Sequence, residues 1–142
     1  PSDWAAVSAS GSIRPTASPP GRPPAPPQYS LDAARVPIRF AEACSASARR
    51  ISASVWPFFG AQGTSHIGAA YALDGTLTNG NQTAIALVGA AASAQAAGQP
   101  QMRDALLAQA QSINARFPTY YGAAWIAVAR VELGTTALGG CA

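Results

Sequence analysis

The chain has 142 residues, a net charge of +3 and a hydrophobic fraction of 49%, which suffices for one ordinary core. Charged residues are only 11%, against a usual quarter, and all nine positive charges are arginines, scattered apart from the Arg49–Arg50 pair. That pattern argues against a nucleic-acid surface, and no apolar run reaches the roughly 18 residues of a membrane span.

Much of the apolar fraction is alanine, so the expected core is helix-rich and closely spaced, with small residues at the contacts. Pro1 stands first in place of methionine, so processing, or a longer parent polypeptide, is expected. The two cysteines, Cys44 and Cys141, lie almost a full chain apart. They are either two buried thiols or a disulfide pinning the C-terminus to the first long helix.

Residues 1 to 30 hold most of the twelve prolines. The run RPTASPPGRPPAPP cannot form a helix or an inner strand, because proline lacks the donor and fixes φ. A proline-rich surface segment is expected at 13–28, either an interdomain linker or a long loop within one domain. From Asp32 to Phe59 the sequence reads as helix, with Val36, Phe40, Ala43, Ser47 and Ile51 at helical spacing. Pro37 fits only a first turn, where backbone N–H groups lack partners anyway.

Residues 60–82 are glycine-rich, with a short hairpin expected around LDGTLTNG. A second helix is predicted from about Thr83 to Ala97, ended by Gly98 and Pro100. A third starts at Pro100 with Met102, Leu106, Ala110, Ile113 and Phe117 on one stripe, and stops before Pro118. A fourth covers roughly Gly122 to Leu133, with Trp125 and Val128 inward. Helices joined by short turns predict an all-α chain of antiparallel helical hairpins.

Metal chemistry has no support in the sequence, since His66 is the only histidine and has no Cys or carboxylate at ligand spacing. A serine triad would need the same histidine, and no G-x-S-x-G elbow is present. No glycine loop opens a helix to cradle phosphate, and no cofactor is expected. Acid–base work by carboxylates remains, and only six exist. Asp104 and Glu132 fall on helix surfaces, where solvation is expected. Asp3 and Asp74 fall in irregular segments. Asp32 stands where the proline-rich connection meets a helix, with Arg35 and Arg39 at i+3 and i+7. Either it caps that helix beside helix-face cations, or its carboxylate, kept ionised by guanidinium groups, serves as a general base.

The ordered stretches PSDW, YSLDAARVPIRF, WPFF, LDGTLTNGNQTAIALVGAAASAQAAG and YYGAAWIAVARVEL resemble the C-terminal part of glycoside hydrolase family 8. The resemblance runs over essentially all of residues 1–142 and about the last third of a family domain. It implies an (α/α)6 barrel and an inverting endo-glycosidase of cellulase type acting on β-1,4-linked glucan, secreted or periplasmic. Inversion needs an acid for the leaving oxygen and a base for water, with carboxyls about 6.5–9.5 Å apart. By resemblance Asp32 is the base and Arg35 the arginine beside it. Trp4, Tyr29, Arg39, Tyr120 and Tyr121 are implied as substrate contacts. Leu31 stands where the family has tyrosine. The family's acid glutamate belongs to an N-terminal part, supplied by the same polypeptide or a second chain. The rival expectation is a non-catalytic helical module of the same descent, binding glycan or self-assembling.

Overall fold

The computed structural model describes residues 1–17, 23 and 25–137. Helix dominates at about 53%, but two small antiparallel sheets make the fold mixed rather than all-α. Strands β1 (Ala5–Val7) and β2 (Ile13–Pro15) form a hairpin with Ala5 opposite Pro15 and Val7 opposite Ile13. The proline-rich segment therefore begins as a strand, with Pro15 at its end, where a missing donor is tolerated. Of the rest of that segment, residues 18–22 and 24 lie outside the described residues.

The second sheet has the order β3-β4-β5, built from Gln28–Tyr29, Ala70–Ala72 and Leu77–Asn79. Its β4–β5 turn is the expected hairpin. Gly75 takes φ +93, a conformation that costs glycine nothing, and the Asp74 carboxylate accepts from Thr76 N–H at 2.9 Å.

The single helix expected from Asp32 to Phe59 is instead four pieces. A 3-10 turn at Ala33–Arg35 leads into α1 (Val36–Ala41), followed by α2 (Ala46–Ala53) and α3 (Trp56–Gln62). The break between α1 and α2 falls at Cys44, which adopts φ +53. Ser45 then restarts the helix, its hydroxyl accepting from Ala48 N–H at 3.1 Å, a side-chain cap. Pro57 occupies the first turn of α3, the one place in a helix where it removes no bond. Cys44 is disulfide-bonded. Cys141, the other cysteine of the sequence, lies outside the described residues.

The three later helices, α4 (Ala84–Ala96), α5 (Pro100–Arg116) and α6 (Tyr120–Gly134), lie within a residue or two of their predicted bounds. Thr83 and Thr119 cap α4 and α6 by accepting from Ala86 and Gly122 N–H groups. Three-residue connections join α4 to α5 and α5 to α6, which folds them back as antiparallel neighbours. Two inward expectations fail. Val128 is exposed because it lies to one side of the buried stripe of Trp125, Ile126, Ala129 and Leu133, and Phe117, at 66% exposed, follows the last residue of α5.

Helix α4 is the axis of the molecule. Every residue from Ala84 to Ala94 is buried, and α1, α2, α3, α5 and α6 all pack on it. A helix apolar on all sides has to be surrounded. Burial of Leu87, Ile85 and Val88 contributes about 1.5–3 kcal/mol each. Gly89 lets the Ala34 carbonyl rest directly on α4; a Cβ there would overlap that oxygen. Ser52 ties three helices together, its hydroxyl donating to the Pro37 carbonyl at 3.0 Å and reaching the Ala92 carbonyl at 3.4 Å. These contacts fix where the Asp32 turn sits.

Candidate functional site

The segment carrying Asp32 is capped, but not by Asp32. Its backbone is already helical (φ −76, ψ −44) and its side chain makes no cap hydrogen bond. The cap comes from Asp3, some thirty residues earlier. Asp3 Oδ1 accepts from Ser30 N–H at 2.8 Å and Ala33 N–H at 2.9 Å. Its Oδ2 accepts from the Ser30 hydroxyl, and Gln28 Nε2 approaches it at 3.5 Å. Asp3 is thus saturated with donors, and its own N–H donates to Gln28 O at 2.8 Å, fastening the N-terminal hairpin to β3.

Asp32 is left as a surface carboxylate ion-paired with Arg35, their side chains 38% and 39% exposed. That exposure leaves the carboxylate open to water. Arg39, the other expected partner, turns away. Its Nη1 donates to Glu42 at 2.7 Å, and its guanidinium lies 5.1 Å from the centroid of the Trp125 ring. That contact is a cation–π arrangement.

Beside Asp32 runs a groove of about 710 Å³. Leu31, its neighbour in the chain, forms one wall, with Asn81 at the entrance to α4, Asn114 and Phe117 at the end of α5, and Tyr121 at the start of α6. The N-termini of α4 and α6 both open here. Gly122 permits the close packing of that corner, since a Cβ on it would strike Asn114 Oδ1 and come within 2.8 Å of Thr119 Oγ1. Among the described residues, no Asp, Glu, Arg or His lines the groove. Rings, amides and hydroxyls in such a cleft suit a neutral, hydroxyl-rich ligand.

The remaining expected contacts divide. Tyr120 is 91% exposed, and Tyr121 is exposed with its ring edge on Trp125 at 6.2 Å. Trp4 is exposed, on the N-terminal hairpin side, and its carbonyl accepts from Thr16 N–H at 3.0 Å. Tyr29 is a core residue instead, 8% exposed, with its ring 5.6 Å from Phe59. Burial first, then Asp3 and Tyr71, hold its phenol above the usual tyrosine range. With its ring packed against Phe59, it offers little surface on which a sugar could stack.

Sequence reasoning missed a carboxyl pair. Glu132, expected to be solvated, is half-buried at the far end of α6, and its pKa is pushed up to about 7 by burial first, then by Glu42, partly offset by Arg39. Asp104 does sit exposed, held low by Arg103. Eleven residues of α6 separate Tyr121 from Glu132, roughly 16 Å at about 1.5 Å per residue, and Glu132 lines a different cavity from the groove of Leu31 and Tyr121. Among the described residues no group of His, Cys, Asp and Glu could hold a metal, and no helix is long and apolar enough to cross a membrane.

The site is thus that of a helical protein with an open carboxylate–guanidinium pair beside a neutral, aromatic- and amide-lined groove. No protein-family model, curated protein or solved structure matches the chain.

Proposed function

We propose that this chain supplies the general base of an inverting endo-glycosidase acting on β-1,4-linked glucan, with Asp32 as the base and Arg35 orienting it. The observation that carries this reading is the release of Asp32 from structural duty. Asp3 caps the turn, so the carboxylate beside Arg35 has no fold-building task and stays open to water. A base must be reachable by the water it activates. The neutral groove beside Leu31 supports a glucan over a charged polysaccharide. Tyr121, together with Phe117, offers rings for the apolar face of a sugar. The acid, the (α/α)6 barrel that would complete the groove, and a secreted or periplasmic setting follow from the resemblance to family 8.

A second reading, a non-catalytic glycan-binding or self-assembling module, draws on one observation. Of the other five carboxylates, Asp3 is consumed as a cap, Asp74 closes the β4–β5 turn, Glu42 and Asp104 are paired with Arg39 and Arg103, and Glu132 lines a different cavity, so none is free beside Asp32 as an acid partner. The viscosity of soluble β-glucan separates the two readings when measured with this chain inside, or mixed with, the polypeptide that carries the acid. For the enzyme, viscosity drops well before reducing ends accumulate, and Asp32→Ala lowers turnover by orders of magnitude while the far-ultraviolet spectrum is unchanged. Activity surviving Asp32→Ala within a few-fold refutes the base assignment. Retention on immobilised glucan without any viscosity loss supports the binding module.

A further inference from the structure

The groove beside Leu31 contains a side-chain amide whose orientation the fold fixes. Asn114, in the last turn of α5, accepts from the Thr119 N–H and from the Thr119 hydroxyl, each at 3.3 Å. A backbone N–H can only donate, so the atom facing it is Oδ1 and the amide cannot turn over. Thr119 Oγ1 in turn accepts from Gly122 N–H at 2.9 Å, which locks both residues to the start of α6. The Nδ2 group, on the other side of the amide carbon, has no partner among the described residues and is not buried. It is the part of Asn114 left to the groove, and it can only donate.

The surroundings reinforce that polarity. Helices α4 and α6 both begin at the groove, and neither carries an acidic residue in its first turn, so their positive ends are uncompensated. Of the side-chain oxygens that could accept, Gln82 Oε1 is taken by Gln109 at 2.8 Å and Thr83 Oγ1 by Ala86 N–H at 3.3 Å. Asn81 and Tyr121 are exposed to water. A ligand oxygen, hydroxyl or carbonyl, can accept from Nδ2. A protonated amine cannot, because it has no lone pair, and in its place two donors would face each other. We propose that Asn114 determines specificity in this groove, donating Nδ2–H to a sugar oxygen and selecting a neutral β-1,4-linked glucan over a polymer of protonated amino sugars. This role rests on the reading of the groove as part of a β-glucan site.

Asn114→Asp isolates the donor. Its carboxylate still accepts from Thr119, and it lies at the N-terminal end of α6, where negative charge is favourable. The melting temperature is therefore expected to hold or rise. The native protein is titrated with hexasaccharides of β-1,4-linked glucose or β-1,4-linked glucosamine, in mildly acidic buffer that keeps the amines protonated. The glucose oligomer is expected to bind more tightly and to shift the side-chain NH2 resonance of Asn114, a readout that needs no variant. Asn114→Asp is expected to weaken the glucose oligomer by up to about tenfold and to strengthen the glucosamine oligomer, so the preference moves towards the amino sugar. An Asn114 NH2 signal unmoved by the glucose oligomer overturns the role, as does a preference that Asn114→Asp leaves unchanged. The base assignment fails separately, through turnover that survives Asp32→Ala.

Discussion

Removing the two aspartates of the Asp32 segment one at a time should have unequal consequences for stability. Asp3→Ala strips the acceptor from the N–H groups of Ser30 and Ala33. Ala33 is only 1% exposed, so water does not replace the lost partner there, while the half-exposed Ser30 is partly rehydrated. A hydrogen bond to a charged group contributes about 1.5–3 kcal/mol, and the two together, less that rehydration, give about 2–4 kcal/mol. Asp32→Ala removes one ion pair that water screens, worth about 0–1 kcal/mol. With a urea slope of about 1.5 kcal/mol/M, the midpoint should drop by about 2 M for Asp3→Ala and by under about 0.7 M for Asp32→Ala. Urea unfolding followed by far-ultraviolet circular dichroism reads both. If Asp32→Ala cost as much as Asp3→Ala, Asp32 would be a structural cap and the case for a freed base would collapse.

Gly89→Ala, which drives a methyl into the Ala34 carbonyl, should destabilise by about 1–3 kcal/mol and disturb the Asp32 turn; an unchanged melting temperature would mean the two backbones are not in contact. Since Cys44 is disulfide-bonded, the unreduced, denatured protein should show no reactive thiol, and reduction should lower the melting temperature measurably. Two thiols per chain in that titration would rule the bond out.

The later half of the fold was legible because its signals are local. Thr83 and Thr119 carry their cap acceptors next to the helices they start, Gly98 and Pro100 separate α4 from α5 within a few residues, and Asp74–Gly75 writes its own turn. The earlier half was not. The stripe through Val36, Phe40, Ala43, Ser47 and Ile51 runs straight across Cys44, and nothing in a periodic pattern announces a left-handed residue in its path. Asp32 occupies the position a cap would take, while the true cap is an aspartate brought in from a distant hairpin. Tyr29 and Glu132 fail for a related reason. Their roles depend on Phe59 and Glu42, partners that only the folded chain places beside them.

The composition of α4 decides how this protein tolerates sequence change. With alanine or glycine at most of its buried positions, there is little side-chain volume left to delete, and the neighbouring helices stand almost on its backbone. Truncation at α4 is therefore a limited threat, confined to Ile85, Leu87 and Val88. Enlargement is the general one, since a single added methyl has to displace an entire helix rather than fill a gap. The interior should drift through exchanges among the smallest residues, leaving variation in size to the exposed ends of α5 and α6.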